Sequence, residues 1–176
     1  MDESLNLKNK TDLNLLADLK VLVAKEREVL TQILHYLKEI EFRKLYLQRG
    51  FPSLFAMMTG CLGYSESAAG RRIQAMRLMR DIPEVEEKIE KGELSLMVAA
   101  QIQGFFRQEG QKRRDQQEAP ITREEKIDLI QTLQGSSARE CEKRLRRSPP
   151  RPKSPKKKLG PLPQIKPWFN LWPTQT

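Results

Sequence analysis

Histidine is nearly absent from this 176-residue chain, with His35 alone, and cysteine is limited to Cys61 and Cys141. The cysteines lie far apart, with no CxxC spacing and no histidine beside them. That excludes a zinc ribbon and fits free thiols in a reducing cytoplasm. A lone histidine cannot supply both a metal-ligand set and a general base. There is no Ser/His/Asp set, Cys/His pair, phosphate-cradling glycine loop or HExxH helix. No catalytic residue, metal or cofactor is therefore assigned, and no small-molecule substrate is expected. No apolar run approaches the ~20 residues that span a bilayer, so no membrane partner is expected. The polar start MDESLNLKNK does not read as a signal peptide. Period-two alternation and internal repeats are missing too, which leaves an all-α, multi-helix domain.

What is present is charge, unevenly placed. Residues 139–176 hold 11 of the 32 Lys/Arg and two of the 23 Asp/Glu, leaving 21 of each in residues 1–138. The body therefore has no general attraction for phosphate, and any DNA binding there must come from local patches. Eight of the eleven prolines fall within residues 149–173, interleaved with Lys and Arg. Residues 148–176 read as a disordered Pro/Lys-rich basic tail, 1–10 as a disordered N-terminus, and 11–147 as the helical domain. Arg146, Arg147, Arg151, Lys153, Lys156, Lys157 and Lys158 are candidate phosphate contacts of the tail.

The chain is organised around Phe51–Arg80, FPSLFAMMTGCLGYSESAAGRRIQAMRLMR. Pro52 and Ser53 open one helix and Gly63 stops it; Ser65 caps the next, with Glu66 at its positive end. A short helix, a glycine turn and a longer helix make a candidate helix-turn-helix at about residues 52–80. On a wheel of residues 66–82, Ala68, Ala69, Ala75, Met76, Leu78, Met79 and Ile82 share the arc of Ile73. Ser67, Gly70, Arg71, Gln74 and Arg77 fall on the other arc. With Ser65 as cap and phosphate donor, these are the candidate contacts to double-stranded DNA. Arginine can bond guanine, glutamine can read adenine, and a small residue admits the duplex backbone. Arg72 falls inside the apolar arc and reads as a structural ion-pair residue. The solvated face of any amphipathic helix carries similar residues, so that alternative stays open.

The segment Leu45–Met79 resembles the helical N-terminal region of bacterial HNH-endonuclease-like proteins. The resemblance rests on the LYL–RG–(F/Y)xSLF pattern, on LGYSESAA–RRIQA–RL and on the trailing IPEV–E–GELSL, and it runs from about Leu15 to Leu145. A more distant likeness is to the helix-turn-helix of ParB-type partition proteins, which also place a G-x-LS helix start, here Gly92–Ser95, after an (I/L)PxxV helix. Both imply DNA binding. In the HNH proteins a ββα-metal module follows the helical region, and none of its catalytic residues transfers to this chain. The resemblance therefore implies a truncated relative that does not cut DNA. The stretch beyond residue 147 is either out-of-frame residue left by a frameshift or a functional basic arm.

Apart from one polar connector, the remaining segments are read as helices. Thr11 or Asp12 caps a long first helix to about Gln48, with a 3,4-spaced seam from Leu16 to Leu47 and a second column of Leu15, Leu22, Val29 and Tyr36. The wide stripe packs against the chain's own later helices or forms a homodimer interface; the second choice makes the chain an α-helical protein-interaction or dimerisation module. Lys25–Glu28 is a candidate kink, and His35 is expected to be exposed. Asp81 and Pro83 start a short acidic helix that ends at Gly92, and Ser95 starts another. Residues 107–121 read as a polar connector. Thr122/Glu125 and Ser137/Glu140 read as two capping boxes.

Overall fold

The computed structural model describes residues 7–147. Among them every regular element is helical, and no strand occurs. The helices are α1 (Asp12–Arg43), α2 (Leu45–Gln48), α3 (Leu54–Gly60), α4 (Glu66–Asp81), α5 (Val85–Glu90), α6 (Leu96–Asp115), α7 (Arg123–Leu133) and α8 (Ala138–Arg146). Six of the eight start at the hydroxyl residue that sequence pattern marks. Thr11, Ser53, Ser65, Ser95, Thr122 and Ser137 each accept the N–H of the residue three positions on. This satisfies one of the donors that a helix start leaves open.

α4 is the middle of the body. It packs against α1, α3 and α5 and most extensively against α6, which also carries α7 and α8. Ala69, Ile73, Ala75, Met76, Leu78 and Met79 are buried there, with Leu34 and Leu37 of α1 and Val98, Ala99 and Ile102 of α6 around them. Ala69, Ala75 and Ala99 are fully buried, and small side chains at such positions let helix axes approach closely.

The structure departs from the sequence reading at several boundaries. α1 is unbroken through Lys25–Glu28 but ends at Arg43, where Lys44 turns left-handed at φ 53° and a single further turn follows. Lysine has no side-chain preference for that conformation, so nothing local announced the break. Residues 7–9 form a 3₁₀ turn, and Lys10 reaches the carboxylate of Asp18, so the order begins before residue 11. α3 stops at Gly60, ahead of Gly63; the chain then reverses with Gly63 at φ +68° and the Tyr64 N–H returning to Met58 O at 3.1 Å. Pro52 stands before the cap Ser53 and outside the helix.

Asp81 is the last residue of α4 and caps nothing, while α5 begins at Val85 without a side-chain cap. The expected connector at 107–121 is mostly helix, because α6 runs on to Asp115. Gln, Arg, Lys and Glu are good helix formers, and the basic end Lys112–Arg114 suits the negative pole of the helix. Arg113 there bonds Glu125 at 3.0 Å and Glu109 at 3.5 Å. Only Thr122/Glu125 forms a reciprocal box; the Glu140 carboxylate turns to Arg144 instead.

Candidate nucleic-acid interface

α3 and α4 are joined by five residues, Cys61–Ser65, and the start of α4 is the part of that helix least covered by the body. Ser65, Glu66 and Ser67 are exposed, and Gly70, Arg71 and Gln74 are half-buried. Ser65 Oγ accepts the Ala68 N–H at 3.3 Å and lies 3.4 Å from Ser67 Oγ. A Cβ built on Gly70 would meet nothing within 4 Å, so no packing within the body requires glycine there. From Ala75 to Met79 α4 turns its buried residues toward α1 and α6, and the partly exposed Arg77 and Arg80 there are held by Glu41.

The arginines of α4 divide into three kinds. Arg71 carries no ion pair or hydrogen bond among the described residues. Arg72 stacks on Tyr64, with its guanidinium carbon 4.5 Å from the ring centroid, and donates to Ala68 O at 3.3 Å. That is a cation–π contact in place of the expected ion pair, and its Nε is buried without a partner. Arg77 faces α1: its Nη2 and Nε donate to Glu41 Oε1 at 2.6 and 3.3 Å, and Arg80 holds the other carboxylate oxygen at 3.3 Å. The structure thus brings Ser65, Ser67, Gly70, Arg71 and Gln74 to the open part of α4. Arg77 is engaged in a helix–helix ion pair that offsets its charge, although its side chain stays 37 % exposed.

Sequence reasoning missed Glu41. It lies 36 residues from Arg77, on the α1 face turned to α4, and only tertiary packing pairs the two. His35 is also engaged, with Nε2 2.7 Å from Glu86 Oε1, so this exposed histidine joins α1 to α5.

The acidic stretch 81–93 is largely tied down. Glu84 bonds Arg123 at 2.6 Å, Glu87 bonds Lys91, and Glu93 bonds Gln134. The backbone N–H of Glu84 and the Arg123 guanidinium hold the Glu84 carboxyl below its ordinary value, and the Lys91 ammonium does the same to Glu87. Burial pushes the Cys141 thiol up to about 11, although Arg144 acts in the opposite direction. Among the described residues no group of three or more His, Cys, Asp or Glu could hold a metal, and no helix is long and apolar enough to cross a membrane.

Of the tail candidates, Arg146 is the last residue of α8 and pairs with Glu142 at 2.6 Å, and Arg147 caps that helix. Arg151, Lys153, Lys156, Lys157 and Lys158 lie outside the described residues, as does the whole expected tail 148–176 and most of the expected N-terminal tail. Comparison with known proteins finds no match among family models, curated proteins or solved structures.

Proposed function

We propose that this chain binds double-stranded DNA through a helix-turn-helix formed by α3 and α4, and that it does not cut DNA. The observation that carries the reading is the contrast among the arginines. Arg72, Arg77 and Arg80 each have a partner inside the fold, whereas Arg71 stands on the open start of α4 with none. Beside it, Gly70 leaves space for a phosphate backbone and Gln74 presents an amide one turn further on. Ser65 and Ser67 add hydroxyls at the positive pole of the helix, where anions are favoured. The basic residues from Arg146 to Lys158 add affinity that does not depend on sequence.

Fluorescence anisotropy on duplex DNA at fixed salt tests the reading. Arg71→Ala and Gln74→Ala should each weaken binding by about 1–3 kcal/mol if they read bases. Equal affinity of wild type and the Arg71→Ala/Gln74→Ala double variant would end the proposal. Plasmid incubated with the protein and Mg²⁺ or Mn²⁺ should stay intact.

A further inference from the structure

α8, the last helix among the described residues, has one side in the core and one strongly basic side. Cys141 is buried and Leu145 half-buried, where the helix packs on α6. At 100° per residue Lys143 lies about 160° from each of them, and Arg139 and Arg147 fall about 40° to either side of it. All three are exposed, and no side chain among them has an ion pair or hydrogen bond within the described residues. The two carboxylates of the helix do not neutralise this face. Glu140 is held by Arg144 on one flank and Glu142 by Arg146 on the other, and Arg144 also donates to Thr132 O at 2.7 Å. Helix stability does not account for the pattern. Cations suit the last turn, but Arg139 stands in the first, at the positive pole where an acid is favoured.

We propose that the outer face of α8 is a docking surface for the phosphate backbone of duplex DNA, carried by Arg139, Lys143 and Arg147. Charge selects the partner. Residues 1–138 balance 21 Lys/Arg against 21 Asp/Glu, so the excess begins at Arg139, and residues 148–176 continue it with six Lys/Arg and no Asp/Glu. The three side chains span about 12 Å of helix, and a duplex presents roughly seven phosphates over that length. The face offers no amide, aromatic or apolar side chain that could read a base or fill a protein pocket. Its contact is therefore with the backbone and independent of sequence. An anionic membrane does not fit, because a helix in the lipid interface inserts its apolar side, and that side of α8 is already turned onto α6. This surface shares its partner with the α4 reading but none of its contacts.

Fluorescence anisotropy of the full chain on a random-sequence duplex, titrated with salt, tests the proposal. Arg139→Gln/Lys143→Gln/Arg147→Gln should lower the slope of log K against log salt by about 2–3, since each lost phosphate contact removes roughly 0.9. Its helical circular dichroism should not change, because all three positions are exposed. Arg139→Lys/Arg147→Lys keeps the charge and should keep the wild-type slope. Lys20→Gln/Lys25→Gln/Lys38→Gln removes the same number of charges from exposed positions of α1 and should bind like wild type. The proposal is overturned by a glutamine variant of α8 with wild-type slope, by a lysine variant that loses slope, or by an α1 variant that loses as much. A chain that binds phosphatidylserine vesicles but not duplex overturns it too. Arg71→Ala/Gln74→Ala, measured alongside, reports on α4 alone: if it binds like wild type while the α8 glutamine variant loses slope, the reading of α4 fails and this one stands.

Discussion

Replacing Arg77 with alanine should damage the fold more than DNA binding, and replacing Arg71 should do the reverse. Arg77 gives two N–H groups to Glu41 Oε1, at 2.6 and 3.3 Å, and so joins α4 to α1. The Glu41 side chain is 19 % exposed and that of Arg77 is 37 % exposed, so the pair is neither fully screened nor dry. A charge-assisted bond in the interior reaches roughly 1.5–3 kcal/mol, and a surface pair about 0–1. With Arg80 still on the other oxygen of Glu41 after the substitution, a loss of about 1 kcal/mol follows. For a helical body of this size that lowers Tm by roughly 3–5 °C. A double-mutant cycle with Glu41→Ala should return a coupling of similar size.

Arg71→Ala removes no interaction within the fold, so its Tm should remain within the scatter of surface substitutions, about ±0.5 kcal/mol. Its DNA affinity should nonetheless fall by about 5–150-fold, the equivalent of 1–3 kcal/mol. Thermal melts and anisotropy titrations on the same two proteins decide the matter. An Arg77→Ala variant that melts like wild type yet loses DNA, or an Arg71→Ala variant that unfolds, would refute this assignment of the two arginines.

Two glycines should respond oppositely to alanine. Gly70→Ala should stabilise by about 1 kcal/mol, since the site is helical and open, whereas Gly92→Ala should destabilise by at least ~1–2 kcal/mol. Gly92 sits at φ +75°, and its new Cβ would fall 2.4 Å from the Arg27 guanidinium carbon; urea melts that rank the two variants alike would refute this. In the native protein the exposed Cys61 should react with a thiol reagent and the buried Cys141 should not, until denaturant is added. Because the Cys141 thiol is raised to about 11, stability should fall as pH rises from the unfolded thiol value of ~8.5 through that of the folded state, and Cys141→Ala should flatten the slope. In acid the sign is opposite. Glu84 and Glu87 are lowered in the fold, so their contribution is present above the unfolded carboxyl value and should fade as pH drops through the folded one, less so in Arg123→Ala. Removing residues 148–176 should reduce the slope of log K against log salt by roughly 0.9 for each phosphate that the tail had neutralised, and an unchanged slope would take the tail off the DNA.

Sequence alone determined that residues 7–147 are helical and where six of their eight α-helices begin. Hydroxyl caps act through bonds three residues long, so Ser53, Ser65, Ser95 and Ser137 could be read without knowing what surrounds them. The inward face of α4 was equally legible, because 3.6-residue periodicity sorts Ile73, Met76 and Met79 from Ser67 and Arg71 before any partner is present. Helix ends were harder. Lys44 adopts a left-handed turn that its side chain does not favour, and residues 107–115 are helical although polar composition alone suits a loop equally well.

Tertiary structure decided what the charged and apolar faces touch. Arg71 and Arg77 have the same chemistry and both fall outside the apolar arc, yet only the approach of α1, with Glu41 on its face, pairs one of them within the fold. The stripe on α1 reads the same from Leu15 to Tyr36. The body covers the helix near Leu34 and Leu37, whereas Asp12–Leu22 runs beyond it, because α4 and α5 meet α1 only over its later turns. Periodicity records which residues share a face; how far a neighbouring helix reaches along that face depends on packing between segments remote in sequence, which no local pattern encodes.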